Sequence, residues 1–276
     1  MATPDDISWW RGRLSNRTPP TATTSVRAPR ERAQSSGAGA FLALADDGRQ
    51  YWVKVPGNEQ GNQVLVNEVI VGELGRLLDA PVRERVLITI PAAITGWTEF
   101  PIPSSARPLL AHGSLHLPNA IDADELRHTR RGQNTERQAA LVGLWDLCVG
   151  EDPQWLYETS AADAVWSYDH GLWFTTGEGD WDEAVLAKLL DVVATLPNIP
   201  RAIDGPRLRA MAADIRGLTP EALLSVMSAV PVEWGTDDRD LEAMAWFLFR
   251  RRGPVADRLE RRADDRSDRQ PTGRAS

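Results

Sequence analysis

Residues 51–74 read YWVKVPGNEQGNQVLVNEVIVGEL and hold one of only two lysines in the chain, Lys54. The other is Lys188, and the remaining 29 of the 31 basic side chains are arginine. The residues around Lys54 are β-branched and aromatic, and they follow the turn Asp46-Asp47-Gly48, so residues 49–55 read as the second strand of a hairpin whose first strand is 41–45. Upstream lies SSGAGAF (35–41), where Gly37 and Gly39 free the backbone to bend. Downstream, the polar loop PGNEQGNQ (56–63) leads into Val64, Leu65, Ile70, Val71, Leu74, Leu77 and Leu78, an apolar face at helical spacing. The order is glycine-rich turn, strand, lysine-bearing strand, loop, helix.

The choice of lysine over arginine has chemical content. An ammonium is a compact point charge that fits between phosphate oxygens and one carboxylate, whereas guanidinium is broad, planar and forked. In kinase-like folds a strand lysine of this kind contacts nucleotide phosphates and is held by a glutamate from the next helix. Glu68, one turn into the helix, is the expected partner. Glu73 lies five residues further, about 140° round the axis, and faces elsewhere. The competing reading, a solvated strand residue, is weakened because such a position tolerates arginine.

The whole chain sets bounds. Its 276 residues suffice for one large domain or two parts sharing a cleft. A net charge of −8 argues against a primary nucleic-acid surface. No apolar run approaches a membrane span, and the start MATPDDISWWRGRL lacks the apolar segment of a secretory signal, so a cytoplasmic location is expected. The single cysteine, Cys148, excludes an internal disulfide and reads as an inert core thiol in LVGLWDLCVG. Four scattered histidines give no metal-ligand spacing, and the 11 tryptophans show no repeat. The polar stretches 15–36 and 263–276 are expected to be loose. Residues 91–118, rich in proline and small side chains, suggest short strands and turns.

From about Glu125 the pattern turns helical. The spacing predicts helices over 136–150, 182–196, 205–218, 219–230 and 237–252. Between the first two, residues 155–157 and 165–168 suggest a short hairpin with Asp152 and Gln154 before its first strand and Asp169 at the end of its second. Phosphoryl transfer needs one carboxylate to accept or orient the acceptor hydroxyl proton, and an amide plus a second carboxylate to hold Mg²⁺. A β-rich first part and an α-rich second part give an α+β class.

At this point the chain resembles the HipA-like kinases, of the compact actinobacterial type. YWVKV (51–55) is similar to the family's lysine strand, and NEVIVGELGRLLDAPV (67–82) to its Asn-Glu helix and the turn after it. WSYDHGLWF (166–174) resembles the metal-binding strand, and VPVEWGTDDRDLEAMAWFLFRRR (230–252) the closing tryptophan helix. AHGSLHLPNA (111–120) resembles the hinge more loosely. The resemblance spans 26–252 and implies a bilobal protein-kinase-like fold, ATP with Mg²⁺, and phosphorylation of Ser or Thr on a protein. It implies that Lys54 binds phosphates, Glu68 holds Lys54, Asp169 binds metal, and the turn with Ser35, Ser36, Gly37 and Gly39 covers the phosphates. Ser35 and Ser36 are also candidate autophosphorylation acceptors. The implied organisation is a flexible segment 1–25, a β-rich nucleotide-binding lobe 26–120, a mostly helical lobe 121–262 and a disordered tail 263–276.

One departure bears on activity. The family's catalytic loop reads Asp-Arg, a few residues, then Asn and an apolar pair; here it is shortened to Asp152-Pro153-Gln154-Trp155-Leu156. Either Asp152 is the catalytic aspartate with Gln154 standing in for the metal-binding asparagine, or Asp152 aligns with the asparagine region and the Asp-Arg pair is gone. An active protein kinase, a pseudokinase or kinase-shaped module that regulates a partner protein, and a small-molecule or lipid kinase therefore all stay open. No membrane surface or direct nucleic-acid partner is expected.

Overall fold

The computed structural model describes residues 2–15, 17–34, 36–97, 99–175 and 180–267, with 266 and 267 given by backbone alone. A short helix α1 (Ile7–Trp10) precedes β1 (Thr24–Arg32), β2 (Phe41–Ala45), β3 (Gln50–Lys54), helix α2 (Gln63–Leu77), β4 (Arg85–Ile90) and β5 (Leu109–Leu115). The five strands close into a barrel of order β1-β2-β3-β5-β4, antiparallel except where Thr24 and Ser25 of β1 meet Ile88 and Thr89 of β4 in parallel. The pleat of β3 sends Tyr51 and Val53 into the barrel core and leaves Lys54 on the outer face. There α2 covers it. Gly75 permits the close approach of α2 to the turn that follows, since a Cβ there would lie 2.4 Å from the Val82 side chain.

The remaining elements are β6 (Ala120–Ala123), α3 (Asn134–Leu147), β7 (Trp155–Glu158), β8 (Ala164–Ser167), α4 (Glu183–Leu189), α5 (Gly205–Arg216), α6 (Pro220–Ser228) and α7 (Asp238–Ser267). β6, β7 and β8 form a second, three-stranded antiparallel sheet. Two apolar cores result: the barrel interior, and a larger one that joins α2 to α3, α5, α6 and α7. A parallel bridge between Val82 and Ser167 ties the end of β8 to the α2–β4 turn. Asn134, fully buried, fixes the other side: its amide donates to the His128 and Asp163 carbonyls and accepts from the Val165 N–H.

Three expectations need correction. The N-terminal segment is packed, not loose. Trp10 and Leu14 are buried, the Gly12 and Leu14 N–H groups donate to the Glu242 carboxylate, and residues 24–32 form β1. The helix expected over 182–196 stops at Leu189. Buried Arg251, from α7, takes the Leu189, Leu190 and Val192 carbonyls at 2.8, 3.0 and 2.8 Å and so supplies the partners that another helical turn would have given. Finally, α7 runs through Pro254 to Ser267, past the expected start of the tail at 263; residues 268–276 lie outside the described residues.

Candidate functional site

The three residues that the sequence singled out from distant segments meet at one point. Lys54 Nζ lies 2.5 Å from Glu68 Oε1 and 2.5 Å from Asp169 Oδ1. β3 supplies the lysine, the second turn of α2 the glutamate, and the residue pair after β8 the aspartate. The two carboxylates differ in access: the Glu68 side chain is 5% exposed and the Asp169 side chain 32%. Glu68 is therefore sealed against Lys54, while Asp169 borders open space. Asp169 adopts φ +55°, which turns its carboxylate back toward the lysine. Gly171 completes the corner, because a Cβ there would sit 3.0 Å from Val64 Cβ and 3.6 Å from Lys54 Nζ.

Electrostatics follow from burial and pairing. Burial opposes the Lys54 charge, but the nearby Asp169 and Glu68 carboxylates outweigh it and raise its pKa above the ordinary lysine value. Burial likewise opposes ionisation of Glu68, and Lys54 with the His170 hydrogen bond overrides it, holding that carboxyl well below the usual range. His112 lies directly across the ladder from Lys54 and is buried, with no hydrogen bond to either ring nitrogen among the described residues. Burial pushes its pKa down to about 3, so the ring is neutral at ordinary pH. Burial raises the Tyr168 phenol, helped by a hydrogen bond to Asp122 and by the charges of Asp122, Asp169 and Asp152 around it. Burial also raises the Cys148 thiol, which fits an inert core residue.

Among the described residues the other expected residues are neither hydrogen-bonded nor ion-paired to this triad, although the Asp152 and Asp169 charges both act on Tyr168. Asp152, exposed and at φ +51°, accepts a 2.6 Å hydrogen bond from Gln154 Nε2. In the glycine-rich turn, Ser36 Oγ accepts from the Ala40 N–H, and Gly39 adopts φ +64° against Pro101. Gly37 faces the Gln60 side chain. Among the described residues no hydrogen bond or ion pair joins this turn, Asp152 or Gln154 to Lys54, Glu68 or Asp169. Ser35 lies outside the described residues. A cleft of about 1340 Å³ lies elsewhere, between residues 193–205, α5 and the end of α7.

Sequence reasoning missed the residues that brace the triad. The Asn67 amide donates to the Gly171 and Trp173 carbonyls at 2.7 and 2.9 Å and accepts from Trp181 Nε1 at 2.8 Å. His170 Nδ1 lies 3.1 Å from Glu68 Oε2, and its Nε2 lies 2.8 Å from Ser167 Oγ. Adjacency to Glu68 and Asp169 was the signal available for both. A Ser–His–Glu line also serves nucleophilic catalysis, but here Ser167 is fully buried and Glu68 is already paired with Lys54. That chemistry is excluded by access.

No protein-family model and no curated protein sequence matches the chain. Among solved structures, the fold is similar to a proinflammatory kinase of Helicobacter pylori, CtkA, with TM-score 0.55 and 11% identity over 88% of this chain and 96% of that one. Golgi casein kinase with Mn and ADP bound gives TM-score 0.48 and 12% identity, covering 92% of this chain and 76% of that one. Another Golgi casein kinase structure gives 0.46 and 8%, over 97% and 77%. The CtkA likeness establishes an α+β kinase-like fold. Fold alone does not establish chemistry.

Proposed function

We propose that this chain is a cytoplasmic, HipA-like kinase of bilobal build that transfers the γ-phosphate of ATP, with Mg²⁺, to a Ser or Thr hydroxyl on a protein. The observation that carries the proposal is the meeting of Lys54, Glu68 and Asp169 at a single ammonium group. A structural ion pair needs one carboxylate; here a second, partly exposed one competes for the same charge.

The donor set suits the ligands. Mg²⁺ is held by one or two carboxylates together with substrate phosphates, not by an all-protein cage. Among the described residues no group of three or more acidic, histidine or cysteine side chains is arranged as a metal cage. When bound, ATP supplies the transferable phosphoryl group and Mg²⁺ neutralises charge on it. Asp169 and the Gln154 carbonyl would hold the metal, Lys54 would contact phosphate, and Glu68 would keep the ammonium aimed. The turn at Ser36, Gly37 and Gly39, with Ser35, would cover the phosphates. Asp152 would accept or orient the acceptor proton.

The short loop favours a second reading, a pseudokinase regulating a partner, because Asp152 and Gln154 satisfy each other. A thermal-shift titration with ATP, with and without Mg²⁺, followed by a phosphate-transfer assay on protein acceptors, separates the two. Ligand binding to the folded state raises the melting temperature by mass action. A Mg²⁺-dependent shift with transfer supports the kinase. A shift without transfer leaves the pseudokinase, and no shift overturns the nucleotide site.

A further inference from the structure

We infer that His170 is a positioning residue that locks the Glu68 carboxylate onto Lys54, an inference that rests on the phosphate-binding reading of Lys54. Ionised Glu68 can only accept hydrogen bonds. Its Oε1 takes Lys54 and its Oε2 faces His170 Nδ1, so Nδ1 carries the proton and donates. The other ring nitrogen, Nε2, shares a 2.8 Å hydrogen bond with the Ser167 hydroxyl. Ser167 cannot drift, because its N–H donates to the Pro81 carbonyl at 2.8 Å and its carbonyl accepts from the Arg83 N–H at 3.0 Å. The imidazole also packs edge-on against Trp173, ring centroids 4.8 Å apart. A fixed strand thus sets a ring, the ring sets a carboxylate, and the carboxylate sets the lysine.

The arrangement matters because Lys54 is shared. When the Asp169 carboxylate turns away from Lys54 toward a cation, Glu68 is left, among the described residues, as the carboxylate paired with the ammonium. Without His170, Oε2 would be a buried acceptor with no donor, and the carboxylate would be free to rotate.

The two-lysine composition makes the test direct. In protein labelled with ¹⁵N-lysine, the Lys188→Arg variant assigns the Lys54 ammonium. Wild type is expected to show a Lys54 signal protected from solvent exchange. His170→Phe keeps the ring packing but removes both hydrogen bonds, so the signal should broaden away and Mg·ATP affinity should fall about tenfold. His170→Asn places an amide N–H where Nδ1–H was, and should restore the signal and bring affinity within about threefold of wild type. An unchanged Lys54 signal in His170→Phe, or no recovery in His170→Asn, would overturn the positioning role and leave a packing residue. If His170→Phe fails to fold, Ser167→Ala decides instead: it should partly broaden the signal, and an unaltered signal overturns the inference. If the signals behave as expected but wild type binds no Mg·ATP, the nucleotide reading fails while the positioning role stands.

Discussion

His112 puts a titratable ring where water cannot follow, and the consequence is measurable. Its pKa of about 3 in the folded chain compares with 6.5 for an ordinary histidine. Between those values the unfolded state binds a proton that the native state does not, so stability falls as pH falls through this window. By pH 5 the loss should be about 2 kcal/mol relative to pH 7. The Glu68 contribution is present above 4.5, the ordinary value, and is lost only as pH drops through its lowered folded value, so it does not mask the effect. His112→Met is expected to flatten the pH 7 to 5 dependence in urea unfolding; an unchanged slope would show that His112 takes up a proton in the native state. Lys54→Arg tests the neighbouring side chain. The ammonium sits between two carboxylates at 2.5 Å, a place for a compact charge and not for a planar fork, so Mg·ATP affinity should drop at least about tenfold in calorimetry despite the retained charge. Lys54 was legible because a chain built on arginine kept one lysine in mid-strand. His112 and His170 were not, since burial of a lone histidine leaves no periodic trace.

At the scale of elements, α2 belongs to the larger core and covers the outer face of β3, and two adjacent residues fasten it. Glu68 reaches Lys54 and His170, while Asn67 reaches the Gly171 and Trp173 carbonyls and the Trp181 indole. Replacing Asn67 with leucine keeps the volume roughly constant but strands three buried polar groups. Each such group costs about 1–3 kcal/mol, so a loss of several kcal/mol is expected from urea unfolding. A loss below about 1 kcal/mol would mean that water or local movement satisfies these groups. The helix and both hairpins were readable because their apolar periods and turn residues are local. The early end of α4 was not, because the group that takes its carbonyls is Arg251, far along the chain. Barrel closure was missed for the same reason: the β1–β4 pairing joins segments with no shared local pattern.

For the whole molecule, the revealing part is the one whose composition looked disposable. The segment 1–25 is expected to be flexible and the polar stretch 15–36 loose, yet the described residues among 2–17 carry anchors that match sites on α7 and α4. Trp10 and Leu14 are 0% and 1% exposed, and Trp10 meets Phe249 with ring centroids 5.6 Å apart. Trp246 Nε1 donates to the Asp5 carbonyl, Arg11 pairs with Glu183, and Arg17 Nε lies 2.8 Å from Asp238. Glu242, 3% exposed, depends on the Gly12 and Leu14 N–H groups. Burying two large apolar side chains stabilises by about 1.5–3 kcal/mol each. Leaving Glu242 without donors costs about 1–3 kcal/mol more, which together approaches the about 5–15 kcal/mol total stability of a domain. A chain lacking residues 2–17 is therefore expected to melt far lower or not to fold at 37 °C. Trp10→Ala alone should cost about 3–5 kcal/mol. Among the described residues none of these anchors is hydrogen-bonded or ion-paired to Lys54, Glu68 or Asp169, so folded Trp10→Ala protein should bind Mg·ATP like wild type at a temperature below its melting transition. A midpoint unchanged by Trp10→Ala would restore the flexible reading of the segment. A loss of affinity without loss of stability would instead tie it to the site.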